Sequence, residues 1–240
     1  VGSGRTSQTQ TGSGAGHGGY GASSGTAAGG NGYDFAVTPM AMGSGGGSAG
    51  SSSPGGAGGG VIRMQVTGRL QVDGRVSANG MAGQSSNSGG GSGGSIWLTV
   101  GEFSGTGLVS ADGGAGNGLG GGGGGGGRIA AHYSSNTFAG SIRAFGGASG
   151  LTNTSRFGGA GTVYWKARNV NDSGLVVADN GGNAGTNTLL LDTTDLDLTI
   201  QGGAALVPGN SPYIHNLLIA SNGWLVLSSQ TVDLVRGTAT

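Results

Sequence analysis

The stretch that decides the fold is GGGGGGGGRIAAHY, residues 120–133, in which eight glycines lead directly into an apolar segment. Similar glycine tracts occupy residues 55–60, 89–94 and 158–161, and an apolar segment follows each of them at once. A flexible glycine linker has no reason to recur in step with such segments. The recurrence therefore predicts that the tracts form a structural layer of the protein.

Two sets of residues repeat together with the tracts. Four unit markers open the apolar segments at spacings of 34, 33 and 34 residues: Ile62, Ile96, Ile129 and Val163. Four alanines close a second apolar segment at spacings of 33, 33 and 34 residues: Ala78, Ala111, Ala144 and Ala178. Because both sets keep one period, the sequence predicts four units, each built as glycine tract, strand, turn, strand and turn.

The apolar segments alternate like strands with one buried face, as Ile62, Met64 and Val66 illustrate. Stacked units would place the glycine tracts side by side. Extended chains of the polyproline II type have no internal hydrogen bonds, and glycine lets neighbouring chains approach closely enough to bond. The predicted fold class is therefore all-β, a right-handed parallel β-solenoid with a stacked polyglycine II layer.

The chain divides into three predicted regions. Residues 1–54 are Gly/Ser-rich extended loops with a short apolar anchor at residues 33–42. Residues 55–185 hold the glycine-tract repeats, and residues 186–240 continue the solenoid without glycine tracts, ending in the strand-like segment 231–235.

Composition excludes several classes of protein. Glycine supplies 62 of 240 residues, but the formal net charge is zero, which argues against disorder. The chain has no cysteine, no basic patch that suits nucleic acid and no apolar run long enough for a membrane span. Val1 opens the sequence without a Met, which favours a processed chain or a fragment.

Three segments carry a family resemblance: residues 89–98, the eight glycines with Arg128-Ile129-Ala130, and residues 159–164. They resemble the glycine-rich repeat modules of very large secreted and cell-surface proteins, over roughly residues 12–180. The resemblance implies an extracellular or cell-surface location and no defined activity. The glycine layer is also similar, by analogy alone, to that of certain phage tail-fibre adhesins.

Few residues are candidates for catalysis or for binding a metal or cofactor. The histidines, His17, His132 and His215, occupy unrelated contexts, so no metal site is predicted. The chain lacks a convincing carboxylate pair, a nucleophile elbow and a phosphate loop, so neither an enzyme nor a cofactor is predicted.

Two acidic groups need an explanation. Asn79, Asp112 and Asp179 hold equivalent positions, and a column of them could bind Ca²⁺, although ordinary turn chemistry accounts for them better. A second group, Asp192, Asp195 and Asp197, could also form an acidic site, but its alternate spacing suits solvent-exposed strand positions equally well.

Four residues are candidate sites for glycans. Trp97 and Tyr164 follow the unit markers, so they face away from the strand core; they either cover the glycine layer or stack on sugars. Asn153 and Asn171 match the N-glycosylation pattern in turn-like regions.

The predicted function is structural: a protomer or repeat module of an extracellular fibre, assembling end to end with copies of itself or with covalent neighbouring modules. The first alternative is a carbohydrate-binding adhesin or tail-fibre-like tip that uses exposed aromatic residues. A polysaccharide-acting enzyme and a disordered glycine-rich matrix protein are further alternatives.

Overall fold

The computed structural model of the protein describes residues 2–150 and 156–227, which contain strands but no helix. The strands are β1 (Val61–Gln71), β2 (Arg75–Ser77), β3 (Ser95–Ser104), β4 (Leu108–Ser110), β5 (Arg128–Asn136), β6 (Ser141–Arg143), β7 (Thr162–Ala167), β8 (Gly174–Asp179), β9 (Asn187–Leu190), β10 (Leu196–Gln201), β11 (Ala205–Pro208), β12 (Ile214–Ile219) and β13 (Trp224–Leu225). The all-β content agrees with the absence of helical periodicity in the sequence.

The four unit markers lie side by side in one large sheet. Strands β1, β3, β5 and β7 are parallel, and their register places each marker directly opposite the next. The short strands β2, β4 and β6 form a second, parallel sheet in which Val76, Val109 and Ile142 are aligned. The repeat deduced from spacing is therefore confirmed for the paired strands of the first three units.

The predicted fold class, a right-handed parallel β-solenoid with a stacked polyglycine II layer, is wrong, because the large sheet is mixed. Strand β8 pairs antiparallel with β7, placing Trp165 opposite Leu175. The spacing of Ala178 had placed this strand in the small sheet beside β6. Instead β7 is only six residues long, and residues 168–173 return the chain beside it. A short connection of this kind joins antiparallel neighbours, whereas parallel neighbours need a longer crossover.

The later strands extend two sheets. The order of the large sheet is β1-β3-β5-β7-β8-β10-β12, in which β8, β10 and β12 are mutually parallel. Strands β9, β11 and β13 form a separate three-stranded parallel sheet. Residues 186–227 therefore do not continue a single stack of coils. The predicted strand at 231–235 lies outside the described residues.

The large sheet is buried on both faces at its centre. On one face Ile96, Leu98 and Val100 pack towards the small sheet of β2, β4 and β6, and we call this the first core. On the other face Tyr164 and Leu198 belong to a second core that includes residues of β9 and β11.

The glycine tracts lie against one another and donate hydrogen bonds in three directions. In tract 89–94 every amide has a backbone acceptor, and each neighbouring segment receives every third amide. A chain with three residues per turn presents its amides in this way. The donor–acceptor pairs are Gly89–Gly47, Gly90–Gly122, Gly91–Met81, Ser92–Ser44, Gly93–Gly125 and Gly94–Ala78, at 2.8–3.0 Å.

The segment 1–54, expected to form extended loops, supplies part of this layer in its described residues. The amides of Gly122 and Gly125 donate to Gly12 and Ala15, at 2.9 and 2.7 Å. In the expected apolar anchor Ala36 is buried in the second core, whereas Phe35 and Met40 are exposed.

Candidate functional site

The first repeat forms one end of the large sheet, of the small sheet of β2, β4 and β6, and of the glycine layer. Strand β1 is the edge of the large sheet, and β2 is the edge of the small sheet. Tract 55–60, which precedes β1, bonds to the next tract through the amides of Gly56 and Gly59. We call β1, β2 and tract 55–60 together the end face.

Tract 55–60 leaves most of its amides without a backbone acceptor. All six amides of the equivalent tract 89–94 are bonded, but in tract 55–60 only those of Gly56 and Gly59 have acceptors among the described residues. The four remaining amides are Gly55, Ala57, Gly58 and Gly60. One repeat later, the counterparts of Ala57 and Gly60 donate to segment 78–81 of the preceding unit, so these two amides point where a preceding unit would lie. The counterparts of Gly55 and Gly58 donate to segment 44–47, which residues 1–54 supply.

Strand β1 adds a row of outward-pointing backbone groups. The amide of Ser95 donates to Gly60 at 3.1 Å, so the carbonyl of Gly60 faces β3. Successive residues of a parallel strand direct their backbone groups to alternate sides. The backbone groups of Val61, Arg63 and Gln65 therefore face away from β3, and β1 has no strand on that side within residues 2–150 and 156–227.

Exposed apolar side chains border the end face. Val61 is 40% exposed, Met42 is 68% exposed and Met81 is 54% exposed. Met42 precedes Gly43, whose amide donates to Gly59, and the amide of Met81 donates to Ala57. Each of the three residues is therefore close to tract 55–60 along the backbone.

The opposite end of the large sheet is also apolar. In β12 Leu217, Leu218 and Ile219 are 36%, 56% and 46% exposed. Because successive strand residues point to opposite faces, both faces of β12 present apolar surface in the described part of the chain.

Neither aromatic candidate for sugar stacking presents a free ring. Tyr164 is 5% exposed and belongs to the second core. Trp97 is half-buried against the same core, and the guanidinium of Arg63 lies 4.5 Å from its ring centroid. His132 lies between them, with its ring centroid 6.1 Å from Trp97 and 5.4 Å from Tyr164. The side chains of Trp97 and Tyr164 face away from the first core, as predicted, but both pack against other parts of the chain.

One of the two glycosylation candidates, Asn171, lies in the described part of the chain. Asn153 lies outside the described residues. Asn171 is exposed in the connection between β7 and β8.

The three histidines lie apart, and no group of three His, Asp or Glu side chains suited to a metal occurs in the described residues. His17 is buried; its Nδ1 lies 2.8 Å from the carbonyl of Gly93 and its Nε2 lies 3.4 Å from Asp34 Oδ2. His132 Nε2 lies 3.2 Å from the carbonyl of Val37, and burial lowers its pKa. His215 is exposed on β12.

Asp34 belongs to a buried polar network that holds residues 33–42 in place. Burial alone would raise the pKa of Asp34, but hydrogen bonds from His17 and from the amides of Ala41, Phe35 and Met40 outweigh it. They hold this pKa well below the usual carboxyl range.

Arg128, which follows the eight glycines, is the largest fully buried side chain. It donates to the carbonyl of Tyr33 at 2.9–3.0 Å, to Thr162 Oγ1 at 3.0 Å and to the carbonyl of Leu189 at 2.9 Å. Burial lowers its pKa to about 10, while Asp192 and Asp34 oppose that shift. The network links the glycine layer to β7 and β9.

The candidate calcium column serves as a ladder of turn caps. Asn79 Oδ1 accepts from the amide of Asp112 at 2.8 Å, and Asp112 Oδ1 accepts from the amide of Phe145 at 2.9 Å. The next acceptor is Asn180, rather than the predicted Asp179: its Oδ1 accepts from Gly146 at 2.7 Å. Asn79 and Asp112 thus bond to amides of the following repeat, whereas Asn180 bonds to an amide of the preceding one.

The three members of the second acidic group differ in exposure. Asp192 is 4% exposed, and its carboxylate accepts from the amides of Ala36 and Val37 at 2.8 and 3.1 Å. Asp195 is exposed and Asp197 is half-buried. Periodicity could not reveal Asp192, because its partners lie more than 150 residues earlier in the chain.

Sequence reasoning did not single out Trp165, which lines two cavities, one of them beside β6. Its alternation with Tyr164 places it on the opposite face of the sheet, together with Val163.

No family model, curated protein or solved structure matches the chain. Among the described residues no helix is long and apolar enough to cross a membrane.

Proposed function

We propose that the chain is a structural module of an extracellular fibre, and that it assembles end to end through the end face. The observation that carries the proposal is the contrast between tract 89–94, with every amide bonded, and tract 55–60, with four amides lacking an acceptor in the described ranges. A chain segment placed against the end face would supply acceptors for these amides.

The exposed edge of strand β1 also favours assembly at the end face. Exposed strand edges are templates for pairing with another chain, and natural proteins usually shorten or cover them. Strand β1 is eleven residues long, which is long for an edge strand. Its outward backbone groups and the tract amides would be engaged together by one partner.

The partner that we favour is the β12 end of a second copy. That end exposes Leu217, Leu218 and Ile219, while the end face exposes Met42, Val61 and Met81. A contact between two different surfaces of the same chain is heterologous, and it produces a filament when the rotation does not close a ring. The same contact would serve between covalent modules of a longer chain.

The test blocks the edge without disturbing the fold. Gln65 is exposed and its amide faces away from β3, so Gln65→Pro removes one outward donor and keeps the bonds between β1 and β3. Gln65→Thr is the matched control, because it retains the amide in a residue that suits a strand.

Sedimentation velocity over a series of protein concentrations, with negative-stain microscopy, measures assembly. We expect the unmodified chain and Gln65→Thr to form linear assemblies as the concentration rises, and Gln65→Pro to remain monomeric with an unchanged circular dichroism spectrum. A folded chain that stays monomeric at every concentration would contradict assembly between separate copies. Filaments that form equally well with Gln65→Pro would exclude the β1 edge as the contact.

A further inference from the structure

The small sheet leaves part of the large sheet uncovered. Strands β2, β4 and β6 lie over the first core, but β8 has joined the large sheet in place of a fourth strand beside β6. A cavity of about 150 Å³ lies there beside β6, and a second cavity of about 360 Å³ lies beside the connection between β7 and β8. The break in the repeat therefore creates a cleft, which we call the break cleft.

One tryptophan separates the two cavities of the break cleft. Trp165 lines both of them and is half-buried. Its ring packs edge-on against Tyr133, with centroids 6.2 Å apart, which fixes its orientation. A fixed, partly open indole ring in a concave site is a platform for a flat apolar surface.

The smaller cavity adds polar groups that internal hydrogen bonds hold in place. Asp179 accepts from the amide of Gly181 at 2.7 Å and from Gln201 Nε2 at 2.9 Å. Arg143 donates from Nε to Asp112 at 2.9 Å. The Gln201 carbonyl oxygen and the terminal guanidinium nitrogens have no partner among the described side chains, so they can bond to a ligand.

The larger cavity is lined by acceptors and an amide. Asn136, Asp172 and Asp197 lie around it, and Asn216 donates to Asp197 Oδ1 at 2.8 Å. Together the two cavities are lined by three carboxylates, those of Asp172, Asp179 and Asp197, and by one guanidinium, that of Arg143. A negatively charged ligand is therefore disfavoured.

We propose that the break cleft binds a neutral oligosaccharide, with one pyranose ring on Trp165 and its neighbouring rings in the two cavities. The C–H face of a pyranose is flat and apolar, and it suits an indole ring. Its hydroxyl groups both donate and accept, which matches the mixture of carboxylate, amide and guanidinium groups on either side. This site is independent of the end face, so the two proposals can fail separately.

The test is calorimetric titration of the full 240-residue chain with cellohexaose, mannohexaose and hexagalacturonate. We expect at least one neutral hexasaccharide to bind and the acidic one not to bind. Loss of the stacking platform in Trp165→Ala should weaken binding by about tenfold or more, since each 1.4 kcal/mol is worth a factor of ten. Trp224→Ala is the matched control, because Trp224 is 66% exposed on β13, in a different sheet, and should leave the affinity unchanged.

A second variant guards against misfolding, because Trp165 also packs against the first core. Gln201→Ala removes one polar group of the cleft and should weaken binding about fivefold, as the loss of one hydrogen bond predicts. The proposal is overturned if neither neutral hexasaccharide binds the chain, or if hexagalacturonate binds as tightly as they do. Unchanged affinity in folded Trp165→Ala or in Gln201→Ala would also overturn it.

Discussion

The glycine layer predicts that one glycine position tolerates alanine in the first repeat and not in the third. Gly60, Gly94, Gly127 and Gly161 end the four tracts at equivalent places. A Cβ on Gly127 would overlap the carbonyl oxygen of Gly94 and the backbone beside it, whereas a Cβ on Gly60 would meet nothing within 4 Å. Gly127→Ala and Gly60→Ala therefore form a matched pair.

The cost of Gly127→Ala follows from the atoms that must move. The obstruction is backbone, which cannot rotate away, so one tract must shift; overpacking of this kind costs about 1–3 kcal/mol. The shift also disturbs the bonds from Gly127 to Ala111 and from Arg128 to Gly94, 2.7 and 2.9 Å long, at about 1 kcal/mol each. Both substitutions also lower the entropy of the unfolded chain, which stabilises the folded state by about 0.4–1 kcal/mol. For Gly60→Ala this stabilisation is the only expected effect. The two variants should differ in unfolding free energy by about 3 kcal/mol or more.

Urea unfolding, followed by circular dichroism and tryptophan fluorescence, measures this difference. With a slope of about 3 kcal/mol per molar urea, the Gly127→Ala midpoint should lie about 1 M below that of Gly60→Ala. If the two midpoints coincide within about 0.2 M at equal slopes, close tract packing does not stabilise the protein, and the reasoning is refuted.

Two further predictions concern the buried polar network. Arg128→Met leaves the carbonyls of Tyr33 and Leu189 without their donor and should destabilise the fold by about 3–5 kcal/mol. Arg69 is exposed, so Arg69→Met is the control in the same urea assay. An equal loss of unfolding free energy in both variants would contradict the role of burial. The lowered pKa of Asp34 contributes stability that is fully present above about pH 4, the unfolded value, and is lost as the pH falls towards the folded value. Asp34→Asn should therefore unfold more easily than the unmodified chain at pH 7, by a margin that narrows below pH 4; a margin independent of pH would contradict this assignment.

The period of the repeat was visible in the sequence because equal spacing reflects equal strand register. The unit markers fell opposite one another, and Val76, Val109 and Ile142 did the same in the small sheet. The direction of β8 was not visible. Residues 174–179 match the second strand of a unit in composition, and only the short connection before them decides that they return beside β7.

The candidate sites were harder to predict, since they depend on partners that are distant in the sequence. Trp97 and Tyr164 were singled out from their positions, but burial against residues far along the chain closes them. Trp165 gained its open setting only because no fourth strand covers it in the described residues. The open setting of Trp165 follows from the reversal at β8, which spacing does not encode.

The role of residues 1–54 follows from counting the directions in which a tract donates hydrogen bonds. Each tract presents amides in three directions, and stacking of the repeats provides two neighbours: an adjacent tract and the segment after a second strand. For tract 120–127 these acceptors are Gly159 and, on the second side, Ala111 and Gly114. Amides that point in the third direction would be buried without an acceptor, at a cost of about 1–3 kcal/mol each, unless another segment lay on that side. Gly12 and Ala15 provide those acceptors. A glycine tract in a layered protein therefore requires a third row, and a Gly/Ser-rich segment before the repeats is its natural source.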